Sequence, residues 1–307
     1  MVMRVGIVGL SEGNGHPFSF SAIINGYNSA AFSKCGWDGI HDYLKVRKPE
    51  EFGFDGVRVV SAWTQDKIIT DNLCRACNIE TSSASYEELI DGVDIVIIAR
   101  DDYQSHLAMA KPCLAAGKKV FIDKPLSLDV KELSYFKPFL LSGQLISGSG
   151  FRYARELDVL REGQVSLGVI KCIQAAVLND LAKYGIHMLE AIAGIGLGTP
   201  ISVSRLSDSF DCFQFELPNN IQLSLSCLGK VGKTFHIGIY GENGHYQTDL
   251  HDNFSAFRST LGNLFNSIKT KTHAYDPNET INLMKAIIAA KRAKAGETLH
   301  VEDVFIP

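Results

Sequence analysis

A chain of 307 residues with 46% apolar and 21% charged side chains has material for two hydrophobic cores and sits in the ordinary globular range, which excludes disordered and fibrous classes. A formal net charge of −4, with no long block of like charge, excludes the basic footprint of a nucleic-acid binder and a polybasic membrane patch, leaving a small-molecule partner as the expectation. Seven scattered cysteines, an odd number, fit reduced thiols and a cytoplasmic location. No stretch reaches about 18 uncharged apolar residues, and Met1–Leu10 is too short and too glycine-interrupted for a signal peptide.

In chain order, the first half alternates β-branched runs with helical patterns. Strands are expected at Arg4–Leu10, Val57–Thr64, Val93–Ala99, Lys119–Ile122 and Gln144–Ser147, and helices around Phe18–Asn25, Asp66–Cys77, Gln104–Ala116 and Val130–Leu141. This βαβα order predicts a doubly wound Rossmann domain over residues 1–150, whose ligands bind outside the carboxyl ends of the strands. Residues 27–55 are longer than a helix-to-strand link requires and read as an ordered insertion. The second half, residues 151–307, carries alternating runs at Ile170–Val177, Ile201–Leu206, Phe213–Leu217, Ile221–Cys227 and Phe235–Tyr240. It is expected to be an α+β domain with an open, mainly antiparallel sheet, and Glu242-Asn243-Gly244 suits a type I′ hairpin. An apolar outer face on that sheet would need covering by another subunit, which predicts a homo-oligomer, a dimer or tetramer.

The turn after the first strand, Gly6-Ile7-Val8-Gly9-Leu10-Ser11-Glu12-Gly13-Asn14-Gly15-His16-Pro17, has the strand-to-helix context of a dinucleotide site. Glycines let backbone N–H groups approach a pyrophosphate, and the helix N-terminus adds partial positive charge. The spacing departs from Gly-x-Gly-x-x-Gly, with Ser11 where the second glycine belongs. Gly9, Ser11, Gly13 and Asn14 are the candidate cofactor residues, and Glu12 must point away from phosphate. The second strand ends near Thr64 and Asp66 without the usual acid for the ribose hydroxyls and without a following arginine for a 2′-phosphate, so NAD is favoured over NADP.

Asp123-Lys124-Pro125 closes the Lys119–Ile122 strand at the ligand-facing edge, where Lys124 could bind a substrate oxygen and exchange its proton as hydride moves. In Asp180–Ile192, read as a helix at about 100° per residue, Lys183, His187 and Glu190 share an arc of roughly 60°, and the positions between them from Leu181 on are apolar, aromatic or glycine. A charged stripe that narrow predicts a helix lining a polar cavity. His187 with Glu190, or Cys74 with Cys77, lacks further ligands at metal spacing, so no metal is expected.

The glycine-rich turn, Asp123-Lys124-Pro125-Leu126-Ser127 and Tyr184-Gly185-Ile186-His187, taken in order, resemble the glucose-fructose oxidoreductase, inositol dehydrogenase and rhizopine catabolism protein family over nearly the whole chain. The resemblance implies an NAD(P)-dependent oxidoreductase acting on a hydroxyl of a sugar, sugar acid, cyclitol or nucleotide sugar, with an active site where the two halves meet. The alternative on the same fold is a non-catalytic sensor of dinucleotide or sugar. By position, Lys124 matches the lysine of the family's Glu-Lys-Pro motif, with Asp123 for the glutamate, and His187 its helix histidine. Asp101 and His106 fall in the nicotinamide-side turn, which keeps only the histidine of the family pattern. Lys183 stands where the family commonly has aspartate. That exchange predicts either a base facing the same pocket as Lys124 or an anchor for an acidic substrate. Arg152, Tyr153 and Tyr184 are the candidate substrate-binding residues.

Overall fold

A computed structural model describes residues 2–307 and divides the chain into two compact units that are not contiguous in sequence. Unit 1 runs to Lys124 and adds Pro138–Ser147 and Phe257–Ala274; unit 2 comprises Pro125–Lys137, Gly148–Ala256 and Tyr275–Pro307. Among the described residues no helix is long and apolar enough to cross a membrane.

The elements in order are β1 (Met3–Val8), α1 (His16–Asn25), α2 (Ser29–Phe32), α3 (Asp38–Lys45), β2 (Val57–Trp63), α4 (Lys67–Ala76), β3 (Thr81–Ser82), α5 (Tyr86–Asp91), β4 (Ile95–Ile98), α6 (His106–Ala115), β5 (Lys119–Ile122), α7 (Val130–Leu141) and β6 (Leu145–Ser147). Six parallel strands order as β3-β2-β1-β4-β5-β6, the Rossmann arrangement in which the order reverses beside β1. Burial explains the strand composition: all four residues of β4 are buried, as expected for a strand covered on both faces. Crossovers α1, α4 and α6 cap the sheet. The Asp66 side chain accepts from the N–H groups of Ile68 and Ile69 to start α4, and Ser85 does the same for Glu88 at α5.

The 27–55 insertion is ordered. It forms α2, α3 and a short 3₁₀ turn at Pro49–Glu51, and it props α1: Tyr43 OH donates to Ser19 Oγ at 2.5 Å, and the Trp37 ring lies 6.0 Å from Phe18. A side chain at Gly15 would strike Ile40 and, at 2.7 Å, Trp37, so this glycine is a close-approach position against the insertion. Arg258 donates to the carbonyls of Glu51 and Gly53, and Phe265 packs on Phe54, which brings Phe257–Ala274 into unit 1.

Unit 2 contains α8 (Asp158–Arg161), β7 (Ile170–Val177), α9 (Ile186–Gly194), β8 (Ser202–Ser207), β9 (Asp211–Leu217), β10 (Ile221–Cys227), β11 (Phe235–Gly241) and β12 (Gly244–Asp249). They are followed by α10 (Asn253–Thr270), whose first residues belong here, α11 (Pro277–Arg292) and β13 (Thr298–His300). Its seven strands order as β12-β11-β7-β10-β9-β8-β13. All neighbours are antiparallel except β7 and β10, which run parallel. Strict alternation along β9 and β10 turns Phe213, Phe215, Leu217, Leu223 and Leu225 into the core. The opposite face is mixed: it presents Gln174, Gln214, Gln222, Ser224 and Ser226 together with Cys172, Ala176, Cys212 and Tyr240. The hairpin expectation also fails in its detail. Glu242 and Asn243 join β11 to β12 without left-handed backbone, whereas Asn219 and Asn220 between β9 and β10 take φ of 62° and 58°.

Candidate active site

In unit 1 the chemistry gathers at the carboxyl ends of β1, β4 and β5. Gly9 turns the chain at φ +80° while its N–H donates to the Trp63 carbonyl at 2.8 Å. The loop then folds back on itself, Asn14 N–H donating to the Ser11 carbonyl at 3.1 Å, and Glu12 and Gly13 are left exposed at its tip. Gly13 takes φ +73° with open space where a side chain would be. The longer-than-usual loop is therefore closed by hydrogen bonds of its own, with Glu12 exposed.

Both carboxylates beside the loop are buried and partnered. Ser11 Oγ donates to Asp101 Oδ1 at 2.7 Å, and Asp101 Oδ2 lies 3.7 Å from Lys124 Nζ, both side chains being 5% exposed. Asp123 accepts from Asn14 Nδ2 at 3.1 Å, from the Lys124 backbone N–H at 2.9 Å, and meets His16 Nδ1 at 2.5 Å. Burial works against the Asp123 charge, but His16, Lys124 and Asn14 outweigh it and hold its carboxyl well below the usual carboxylate range. The His16 ring is fixed between Phe20 and Phe257, with centroids at 5.1 and 4.8 Å.

Other candidates of this unit are engaged in local structure. The Thr64 hydroxyl donates to the Asp66 carbonyl at 2.8 Å and contacts Thr70 Oγ1 at 2.8 Å, and the Asp66 carboxylate is the α4 cap. His106 is fully buried with Nε2 2.9 Å from the Arg100 carbonyl, so it holds the turn after β4. Gln65 pins the glycine loop from the side, donating to the Leu10 carbonyl at 2.8 Å and accepting its N–H at 3.0 Å. Cys74 and Cys77 contact different backbone carbonyls, those of Thr81 and Phe18.

Unit 2 holds His187, on α9. The expected continuous helix from Asp180 is instead a π turn over Leu181–Gly185 leading into α9, with the Gly185 N–H on the Asp180 carbonyl and the Lys183 N–H capped by Asp180 Oδ1 at 2.8 Å. The wider turn removes the α-helical register that placed Lys183 on one arc with His187 and Glu190. Lys183 is half-buried, while His187 and Glu190 are 8% and 1% exposed.

His187 and Glu190 dock on the Ser149–Tyr153 segment. His187 Nδ1 makes a short hydrogen bond with Ser149 Oγ, and its ring is bounded by Phe151, Tyr184 and Phe235 with centroids at 5.3, 5.9 and 5.7 Å. Glu190 Oε2 accepts from Arg152 Nε at 2.6 Å, Arg152 Nη1 donates to Glu279 Oε2 at 2.6 Å, and the guanidinium lies 3.9 Å over the Tyr275 ring. Burial makes the Glu190 carboxyl easier to protonate than a free one, although Arg152 opposes the shift. Glu190 thus belongs to a buried ion-pair cluster. Arg152 Nη2 and Tyr153 OH are buried without a hydrogen-bond partner among the described residues, and burial pushes the Tyr153 phenol up to about 12. Tyr184 stacks on Phe235 at 5.9 Å.

Sequence reasoning missed His16 and Ser149. His16 carried a signal in the His-Pro pair that opens α1; Ser149 lies just past β6, where the rule about carboxyl ends of strands applies.

Residues 3–138 match the model of an oxidoreductase family with NAD-binding Rossmann fold, Gfo/Idh/MocA. A protein of Amycolatopsis mediterranei (strain S699) bearing the name UDP-kanosamine synthase oxidoreductase subunit is 30% identical over 143 residues, which are 46% of this chain; the match spans 38% of that relative's length. Among solved structures, scyllo-inositol dehydrogenase from Lactobacillus casei with NAD(H) and scyllo-inositol superposes with a TM-score of 0.75 at 14% identity, covering 98% of this chain and 100% of that one. Myo-inositol 2-dehydrogenase from Lactobacillus plantarum does so with a TM-score of 0.75 at 16% identity, covering 98% and 99%. At these identities the structures establish the fold over both units. Over residues 3–138 the chain is thus similar to the Gfo/Idh/MocA oxidoreductase family, and unit 1 has the Rossmann strand order of that family's NAD-binding domain.

Proposed function

We propose that this chain is an NAD(P)-dependent dehydrogenase or reductase that moves a hydride between the nicotinamide ring and a CH–OH or carbonyl carbon of a sugar, sugar acid, cyclitol or nucleotide sugar. The observation that carries the reading is Lys124, buried at the carboxyl end of β5 with its ammonium 3.7 Å from Asp101 and one residue past an Asp123 locked to the glycine loop. A buried, positioned lysine is suited to hold a substrate oxygen and exchange its proton. The loop residues fit a dinucleotide: the exposed backbone at Glu12 and Gly13 would hold the pyrophosphate, and the bound cofactor would supply or accept the hydride. Asp101 and Asp123 would keep Lys124 in place from below. In unit 2, His187 would hold a hydroxyl of a polyhydroxylated ligand, and Tyr184 stacked on Phe235 offers a ring wall suited to the apolar face of a sugar or cyclitol. The Lactobacillus casei inositol enzyme and the UDP-kanosamine synthase subunit both support a polyhydroxylated substrate class.

The test is a titration with NADH and with NADPH, following the fluorescence of Trp37, which packs on Gly15, and Trp63, which ends β2. A panel of inositols, sugar acids and nucleotide sugars then reads nicotinamide absorbance. Saturable binding with turnover on a member of the panel is the expected result. Binding without turnover across all classes contradicts the enzymatic reading and favours a sensor.

A further inference from the structure

The Ser149 hydroxyl in unit 2 has two partners. The Phe151 N–H donates to its Oγ at 3.2 Å, and His187 Nδ1 makes the short hydrogen bond already described. A serine hydroxyl offers one proton and two lone pairs, and a neutral imidazole carries its proton on one nitrogen and accepts at the other. If His187 donated from Nδ1, both Ser149 lone pairs would be filled. The hydroxyl proton would then have no acceptor among the described residues, in a side chain only 2% exposed. If Ser149 donates to Nδ1, its proton and both its lone-pair contacts are accounted for, and a neutral ring carries its proton on Nε2.

The backbone around Ser149 is held as well. Its own N–H is bound by the Glu190 carboxylate, which Arg152 holds, and the residue before it is Gly148, where a side chain would come within 2.9 Å of Tyr275 OH and 3.1 Å of Glu190 Oε1. The helix that carries His187 thus grips Ser149 twice, by the imidazole and, three residues on, by Glu190.

We infer that Ser149 is a positioning residue that donates to His187 Nδ1 and keeps the imidazole proton on Nε2, so that His187 meets a substrate oxygen as a hydrogen-bond donor and not as a base. The inference rests on the hydride-transfer reading above for its consequence. In the oxidation direction the carbon gives up hydride to the nicotinamide, the O–H bond breaks as the second C–O bond forms, and the released proton goes to a base other than His187. In reduction an acid other than His187 returns the proton while Nε2–H polarises the carbonyl.

The experiment is a long-range proton–nitrogen spectrum of the full-length protein labelled with 15N-histidine, near neutral pH, with no cofactor or substrate, His187 being assigned by its loss in His187→Gln. The parent and Ser149→Thr are expected to show the Nε2–H pattern. Ser149→Ala, checked for a parent-like thermal melt, is expected to move the ratio of the two tautomers toward Nδ1–H by roughly tenfold or more. A parent ring protonated on Nδ1, or an unchanged Nε2–H pattern in a folded Ser149→Ala, overturns the inference. The spectrum needs neither cofactor nor turnover, so its failure leaves the hydride-transfer reading standing, and an inactive panel leaves the tautomer result intact.

Discussion

Arg152 Nε lies 2.6 Å from Glu190 Oε2 with the side chains 4% and 1% exposed, and the pair joins α9 to the segment that carries Ser149. A buried pair of this kind gains less from attraction than its geometry suggests, because both ions leave water, but losing one partner strands the other. Arg152→Met is therefore expected to destabilise unit 2 by about 3–5 kcal/mol in urea unfolding at neutral pH, and Arg152→Met with Glu190→Leu to recover much of that loss. An additive double variant contradicts the pairing.

The same carboxyl carries a pH signature. Burial raises the folded-state pKa of Glu190 above its unfolded value, so its cost is absent below about 4.3 and grows as pH rises through the folded value. Asp123 has the opposite sign. Its folded pKa is depressed, so its contribution is complete above about 3.9 and is lost as pH falls toward the folded value. Asp123→Asn is expected to lower thermal stability at neutral pH and to flatten the fall of the melting temperature below about pH 4. An acid limb as steep as the parent's would show that His16 and Asn14 do not stabilise the Asp123 charge.

Two glycines separate packing from backbone strain. A Cβ at Gly194 would fall on the carbonyl of Arg152, a backbone atom that cannot step aside, whereas one at Gly13 meets open space but must accept φ +73°. Gly194→Ala is expected to cost on the order of 3 kcal/mol or more through overpacking, and Gly13→Ala about 1–2 kcal/mol through strain alone. Equal losses in urea unfolding would remove the distinction.

Much of the scaffold could be read from the residues, because hydrophobic period records which face is buried. The bounds of β7, β10, β5 and α7 were read as observed. Period does not record strand direction: β7 and β10 alternate alike whether parallel or antiparallel, so their parallel pairing was invisible. Nor does it record a π turn, since Lys183, His187 and Glu190 were placed on one arc by assuming 3.6 residues per turn. Lys124 and His187 stood out by residue type and neighbours. The partners that fix them did not, because His16 meets Asp123 across 107 positions and Ser149 meets His187 across 38, distances over which no local rule operates. Thr64 and Asp66 show the converse, for the end of β2 drew attention while their polar atoms serve the β2–α4 turn.

The most direct test of the central claim compares the parent with Lys124→Ala in steady-state turnover of the best substrate from the panel, alongside cofactor titration of both proteins. If Lys124 exchanges the proton of the reacting oxygen, turnover falls by about 10²-fold or more while the cofactor dissociation constant stays within a few-fold. Turnover that survives in Lys124→Ala, with cofactor binding unchanged, would contradict the account.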